Sequence, residues 1–225
     1  MDAGAFLTAL QLADSALPTG RFAHSAGLEA LLDGGVPSEL ELVEFVSSYV
    51  TEGVAPLDGV VAAHATRASS LERLIALDDL VRARKIVPGA RTVSLRCGRQ
   101  LARLAAEITD DRLALELAGA VRGAEAEGHL CVVEGTLARA AGLNEEEAVL
   151  ISLRGAASGA LSAAVRLGAI SARQAQRILA ELRDPLARAC ACALTTPLDR
   201  VHSTVPEFDL LALAHPRGEA RSFTT

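Results

Sequence analysis

Five histidines, at positions 24, 64, 129, 202 and 215, and four cysteines, at 97, 131, 190 and 192, are the side chains best suited to bind metal or act as nucleophiles. Their spacing declares no local metal site. H-x-x-x-H, H-x-H and C-x-x-C, the patterns that set two ligands close together, are all absent. Cys190 and Cys192 stand two apart, which on a helix turns them to different sides, and buried free thiols in a reducing compartment are the expectation for all four, with a metal cluster as the alternative. His64 and His129 fall within helical patterns and read as core or surface residues. An imidazole metal site could arise only by convergence in space or across a dimer axis. His24 and Ser25 are sequence neighbours, which does not make a base–nucleophile pair, and no G-x-S-x-G elbow exists. No G-x-x-x-x-G-K-[ST] loop is present to cradle phosphates. Glu145, Glu146 and Glu147 read as the acidic first turn of a helix. A site assembled from distant residues, such as His24 with Glu29 or His64, is the one enzymatic reading left.

One segment is denser in special residues than a simple turn needs. Leu10 to Leu32, LQLADSALPTGRFAHSAGLEALL, packs Pro18, Gly20, Arg21, Phe22, His24, Ser25 and Gly27 closely together. Loops of this kind carry function on a rigid scaffold. A tight turn between two helices is the alternative.

Bulk composition says what must position these residues. The chain has 225 residues, half of them hydrophobic, with no Trp, one Tyr and five Phe. Its apolar mass is mainly Ala, Leu and Val, which favours packed helices over strands. The net charge of −6 disfavours binding to nucleic acid phosphates, and one Tyr leaves few platforms for stacking bases. No charge-free run approaches the ~18 apolar residues of a membrane span. The first twelve residues carry Asp2 and no basic residue, unlike a signal peptide. A soluble cytoplasmic protein is expected.

Helix-start signals recur along the chain, each followed by an apolar 3.6-residue pattern. Phe6, Leu7 and Leu10 open a short helix that the Pro18–Gly20 turn ends. Ser38–Glu41 is a capping box ahead of Leu42, Val46 and Val50. Pro56 suits the first turn of a further helix running through His64. Ser69–Glu72 reads as a second capping box, before Leu74, Leu77 and Val81. Ala90 to Ile108 carries Val93, Cys97, Leu101, Leu104 and Ile108 on one stripe. Asp110 or Asp111 caps the next helix, and Gly142 stops the one after it. Asn144 to Glu147 starts the most apolar helix, which contains Gly155-x-x-x-Gly159. Small residues at that spacing allow close helix approach, either by neighbours in the same chain or by a second subunit. Ser171 to Gln174 is a further cap, and Pro185 should interrupt the helix that follows. From about residue 195 the tail reads as irregular, or ordered by a partner. The expectation is one all-α domain over 1–225, a bundle of about ten helices.

Several stretches together resemble a known family. Leu12-Ala13-Asp14-Ser15-x-Leu17-Pro18-x-Gly20-x-Phe22-Ala23-His24-Ser25-x-Gly27-Leu28-Glu29 closely resembles the N-terminal signature of the UreF family. Arg91-x-x-Ser94-x-x-x-Gly98-Arg99 is similar to its middle motif. Ala163 to Gly168 followed by Gln174-x-x-x-Ile178-Leu179 resembles its late helices. His215, Arg221 and Phe223 resemble its tail. Arg21 stands where the family usually has a second glycine, Pro216 replaces a glutamate, and Ser222 replaces a leucine.

The resemblance implies an all-α, usually dimeric urease accessory protein with no catalysis of its own. It implies partners UreD/UreH, the GTPase UreG and apo-urease, with nickel handled by the complex and no cofactor held stably by this chain. It marks Pro18, Gly20, Arg21, Phe22, His24, Ser25, Glu29, Arg99, His215, Arg221 and Phe223 as partner-binding candidates. Phe22 and Phe223 would be apolar anchors; Arg21, Arg99 and Arg221 would be charged contacts. A generic helical scaffold of another complex and a direct nickel carrier are the competing readings.

Overall fold

Capping chemistry sets most helix starts. The Ser38 hydroxyl accepts the Glu41 N–H while the Glu41 carboxylate accepts the Ser38 N–H, and Asn144 with Glu147 and Ser171 with Gln174 repeat this reciprocal pair. Asp111 rather than Asp110 caps its helix, accepting from Ala114 N. Ser70 also caps, but through Arg73 N. Glu72 sits one residue too early to reach back, so the second expected capping box is a single-sided cap.

The structure, a computed structural model, describes residues 2–20, 28, 35 and 37–203. Among these, nine helical rods and no strand are present. They are α1 (Ala3–Leu12), a composite rod of α2 (Glu39–Ser48), a π-helical segment (Tyr49–Gly59) and α3 (Val60–Thr66), then α4 (Leu71–Arg84), α5 (Pro88–Ile108), α6 (Arg112–Arg122), α7 (Leu130–Ala140), α8 (Glu145–Arg166), α9 (Ala172–Glu181) and α10 (Arg183–Thr195). A 3₁₀ turn, Leu198–Arg200, follows. The all-α expectation holds.

Pro56 departs from expectation. It lies inside the continuous rod rather than at a helix start. In an α turn its ring would press on the carbonyl four residues back, and it has no N–H to donate. The wider π winding relieves that crowding. Pro185 behaves as expected: the chain breaks at Leu182, and Pro185 falls in the first turn of α10. Gly142, at φ +74°, turns the chain after α7.

α3, α7 and α8 form the centre. Val60, Val61, Ala62, Ala63 and Ala65 of α3 are all buried, as are Leu153, Ala157, Leu161 and Ala164 of α8. α3 and α7 cross where Gly135 faces Ala62. A Cβ on Gly135 would lie 2.3 Å from the Ala62 carbonyl oxygen. The bare backbone there allows a close interhelical approach, and Thr66 Oγ1 also donates to Gly135 O at 3.3 Å. Gly155 and Gly159 are buried in α8 within this one chain. Of the described helices α8 alone is long and apolar enough to cross a membrane, although Arg154 interrupts it. Most of its apolar window, 67%, is buried inside the protein, as in a core helix.

Ion pairs tie the periphery together. Glu39 of α2 pairs with Arg177 of α9, Arg67 after α3 with Glu145 of α8, and Asp111 with Arg139 of α7. α1 packs on α8, with Ala5 and Leu12 buried, and Arg154 donates to the Ala13 carbonyl at 3.1 Å. The side chains that suggested this helix face outward: Phe6, Leu7 and Leu10 are 52%, 65% and 53% exposed.

Candidate functional site

The middle motif, Arg91 to Arg99, marks a junction of α4, α5 and the 123–129 connection. Arg91 reaches back over the α4–α5 corner. Its Nε donates to Lys85 O at 3.0 Å and its Nη2 to Arg82 O at 3.0 Å, filling carbonyls that the end of α4 leaves open. Three and seven residues on, Ser94 and Gly98 meet the start of α7. Ser94 Oγ accepts the Leu130 N–H at 3.3 Å and lies 3.1 Å from His129 Nδ1. Gly98 abuts backbone: a Cβ there would lie 2.1 Å from Gly128 O and 2.6 Å from Leu130 N. Arg99 Nε donates to Glu127 O at 2.8 Å. Each motif residue thus holds one strand of the same knot.

Asp78 closes the knot from α4. It falls in the buried stripe of Leu74, Leu77 and Val81 and is itself only 2% exposed. Its Oδ2 accepts Glu127 N at 2.6 Å and Gly128 N at 3.0 Å, and its Oδ1 accepts His129 N at 2.7 Å. Three N–H groups at the entry to α7 thereby gather round one carboxylate, as a helix N-terminus favours. Gly128 takes φ +81°, which turns the chain into that cradle.

Beside the knot lies a buried ion pair. Lys85 Nζ meets Asp58 Oδ2 of the π segment at 2.7 Å. Burial alone pulls the Lys85 ammonium down, but it is held above its ordinary value, with the Asp58 carboxylate as the chief opposing group. Burial, with Asp58 adding to it, pushes the Cys131 thiol well up. It is therefore a neutral thiol rather than a nucleophile. Burial also lowers the affinity of His129 for a second proton; Asp78, Asp58 and Glu127 oppose this, and Lys85 reinforces it. The junction joins these polar groups into a structural device that holds the entry to α7.

The described residues hold no cluster of three or more His, Cys, Asp or Glu side chains arranged for a metal ion. A groove of about 840 Å³ lies between α1, α8 and α9, lined by Leu10, Asp14, Leu150, Arg154, Leu161 and Leu179 among others.

Of the partner-binding candidates, Pro18, Gly20 and Arg99 are among the described residues. Pro18 is exposed, Gly20 is exposed at φ +77°, and both follow α1. Arg99 is exposed on α5, which packs against α6 and α7. Arg21, Phe22, His24, Ser25, Glu29, His215, Arg221 and Phe223 lie outside the described residues. Sequence reading passed over Asp58, Asp78, Lys85 and Glu127. Asp78 left a signal, an acidic residue inside an apolar stripe.

Comparison with known proteins places this architecture. The family model described as UreF matches residues 36–183, more than half of the chain. Urease accessory protein UreF of Yersinia enterocolitica serotype O:8 / biotype 1B is 29% identical, with 100% of both chains covered. Urease accessory protein UreF of Yersinia pseudotuberculosis serotype I (strain IP32953) is 28% identical over the same full lengths. That of Yersinia pestis (strain Pestoides F) is 27% identical, again end to end. The matched span runs from the cap of α2 to the start of α10 and contains every residue of the junction, so the chain belongs to the UreF family.

Proposed function

We propose that the protein is a non-catalytic scaffold for urease maturation. It assembles with UreD/UreH, the GTPase UreG and apo-urease, so that the complex delivers nickel. The end-to-end similarity to proteins called urease accessory protein UreF carries this reading. The internal chemistry supports it: the junction spends its polar groups on holding backbone, and a scaffold needs no nucleophile. Such a protein acts by binding one state of a partner more tightly than another. Nickel is the cargo of the complex, and this chain holds no cofactor of its own.

The Pro18–Glu29 segment and the His215–Phe223 tail face partners in this reading, with Phe22 and Phe223 as anchors and Arg21, Arg99 and Arg221 as charged contacts. The chain works as a homodimer. The outward apolar side chains of α1 and the adjoining groove, an exposed patch of the kind that marks interfaces, suit a subunit contact.

Two measurements test the proposal. Cells lacking the gene are expected to make urease protein without urease activity, with partial recovery in excess nickel. Full activity in those cells would remove the maturation role. Pull-down of UreD/UreH by the Phe22→Ala, Phe223→Ala double variant is expected to weaken at least about tenfold, as loss of two anchors implies. Undiminished capture would move the interface elsewhere.

A further inference from the structure

We propose that His129 is an acid-sensitive latch: a second proton on its ring releases the 123–129 connection from Asp78 and frees Arg99 from its backbone anchor. The inference rests on the junction geometry and stands apart from the partners named above.

The ring is 0% exposed. Its two nitrogens have unequal surroundings. Nδ1 lies 3.1 Å from Ser94 Oγ, while Nε2 makes no hydrogen bond and lies 3.5 Å from Glu127 Oε2. The neutral ring is best accommodated with Nδ1 accepting the Ser94 hydroxyl proton and Nε2–H turned towards the carboxylate. A second proton must then sit on Nδ1. There Ser94 Oγ can still accept it on its second lone pair beside the Leu130 N–H, but the Ser94 hydroxyl then loses the ring as its own acceptor and its proton must turn elsewhere.

The groups facing the ring come from every neighbouring element: Asp78 and Lys85 from α4, Asp58 from the π segment, Ser94 from α5 and Glu127 from the connection itself. Asp78 is already shared among three backbone N–H groups, and Asp58 is engaged by Lys85. Glu127, whose side chain is 38% exposed, is the one carboxylate able to follow a charged ring outward. That movement pulls on residues 127–129, whose N–H groups Asp78 holds, and on Glu127 O, which anchors Arg99.

The sign follows from burial. The fold holds His129 below its ordinary value of 6.5, so its contribution to stability is complete above that pH and is lost as pH falls towards the folded value. The connection is latched at neutral pH and loosens in mild acid.

Hydrogen exchange on the full-length protein, corrected for intrinsic rates, tests this between about pH 7.5 and about pH 5.5, the range of histidine titration. Amides of Glu127, Gly128 and His129 should exchange at least about tenfold faster in the acidic sample and recover on neutralisation. His129→Asn, which can still accept from Ser94 but cannot be charged, should show no such rise. Should that variant fail to fold, NMR titration of the wild-type ring decides. A ring that titrates at its ordinary value, or amides at 127–129 indifferent to its protonation, overturns the latch. An equal acid response in folded His129→Asn overturns it too.

Discussion

Gly98→Ala is expected to cost about 3 kcal/mol or more and to lower the thermal midpoint by roughly 10 °C, near the upper end for a single overpacking change. The added methyl would overlap three backbone atoms: Gly128 O at 2.1 Å, Leu130 N at 2.6 Å and His129 C at 2.8 Å. Backbone cannot rotate aside as a side chain can. α5 would have to move away from the entry to α7, lengthening the Ser94 and Arg99 hydrogen bonds together. Gly119→Ala in α6 is the matched control. A Cβ there meets nothing within 4 Å, so alanine should stabilise by up to about 1 kcal/mol through helix propensity. Thermal unfolding of the two variants should therefore shift in opposite directions; equal shifts would refute the close-approach account.

Asp58→Ala is the second large effect. It leaves the Lys85 ammonium buried without its counter-ion, which costs about 3–5 kcal/mol. The double variant Asp58→Leu, Lys85→Met should recover most of that loss, because no charge is then stranded. Denaturant unfolding of the single and double variants measures the difference, and a double variant as weak as Asp58→Ala would show that the pair is not the cause. The pair also has a pH signature. Asp58, by charge and hydrogen bond, is the chief group that opposes burial and holds Lys85 above its ordinary value of 10.5. Its contribution is therefore complete below that pH and is lost as pH rises through the folded value. Wild-type stability should fall in strong alkali, and the double variant should lack that part of the fall.

Local rules were legible in the residues. The caps at Ser38, Asn144 and Ser171 form because a side-chain oxygen and an N–H three residues on meet wherever a helix begins. Pro185 interrupts because its ring cannot continue a turn. The Arg91–Arg99 motif was visible as a pattern, yet its role was not. Arg99 reads as a surface contact from sequence; in the fold its guanidinium also anchors the Glu127 carbonyl.

Other features depend on elements far apart in the chain. Asp58 and Lys85 are 27 residues apart, Asp78 and His129 are 51 apart, and Arg154 reaches Ala13 across 141. No local spacing encodes such meetings, because they follow from how the rods pack. The apolar residues of α1 make the same point. Periodicity correctly announces a helix, but only packing against α8 decides that Ala5 and Leu12 turn inward while Phe6, Leu7 and Leu10 remain outside.

By itself, then, the amino-acid order determined where the chain coils, where the coils stop, and which family it joins, since these depend on neighbours within a turn or two. The tertiary structure decided which polar residues are buried together and which apolar ones stay exposed. The reason is physical: desolvation, close approach and charge pairing are properties of space, and 225 residues reach them only by packing.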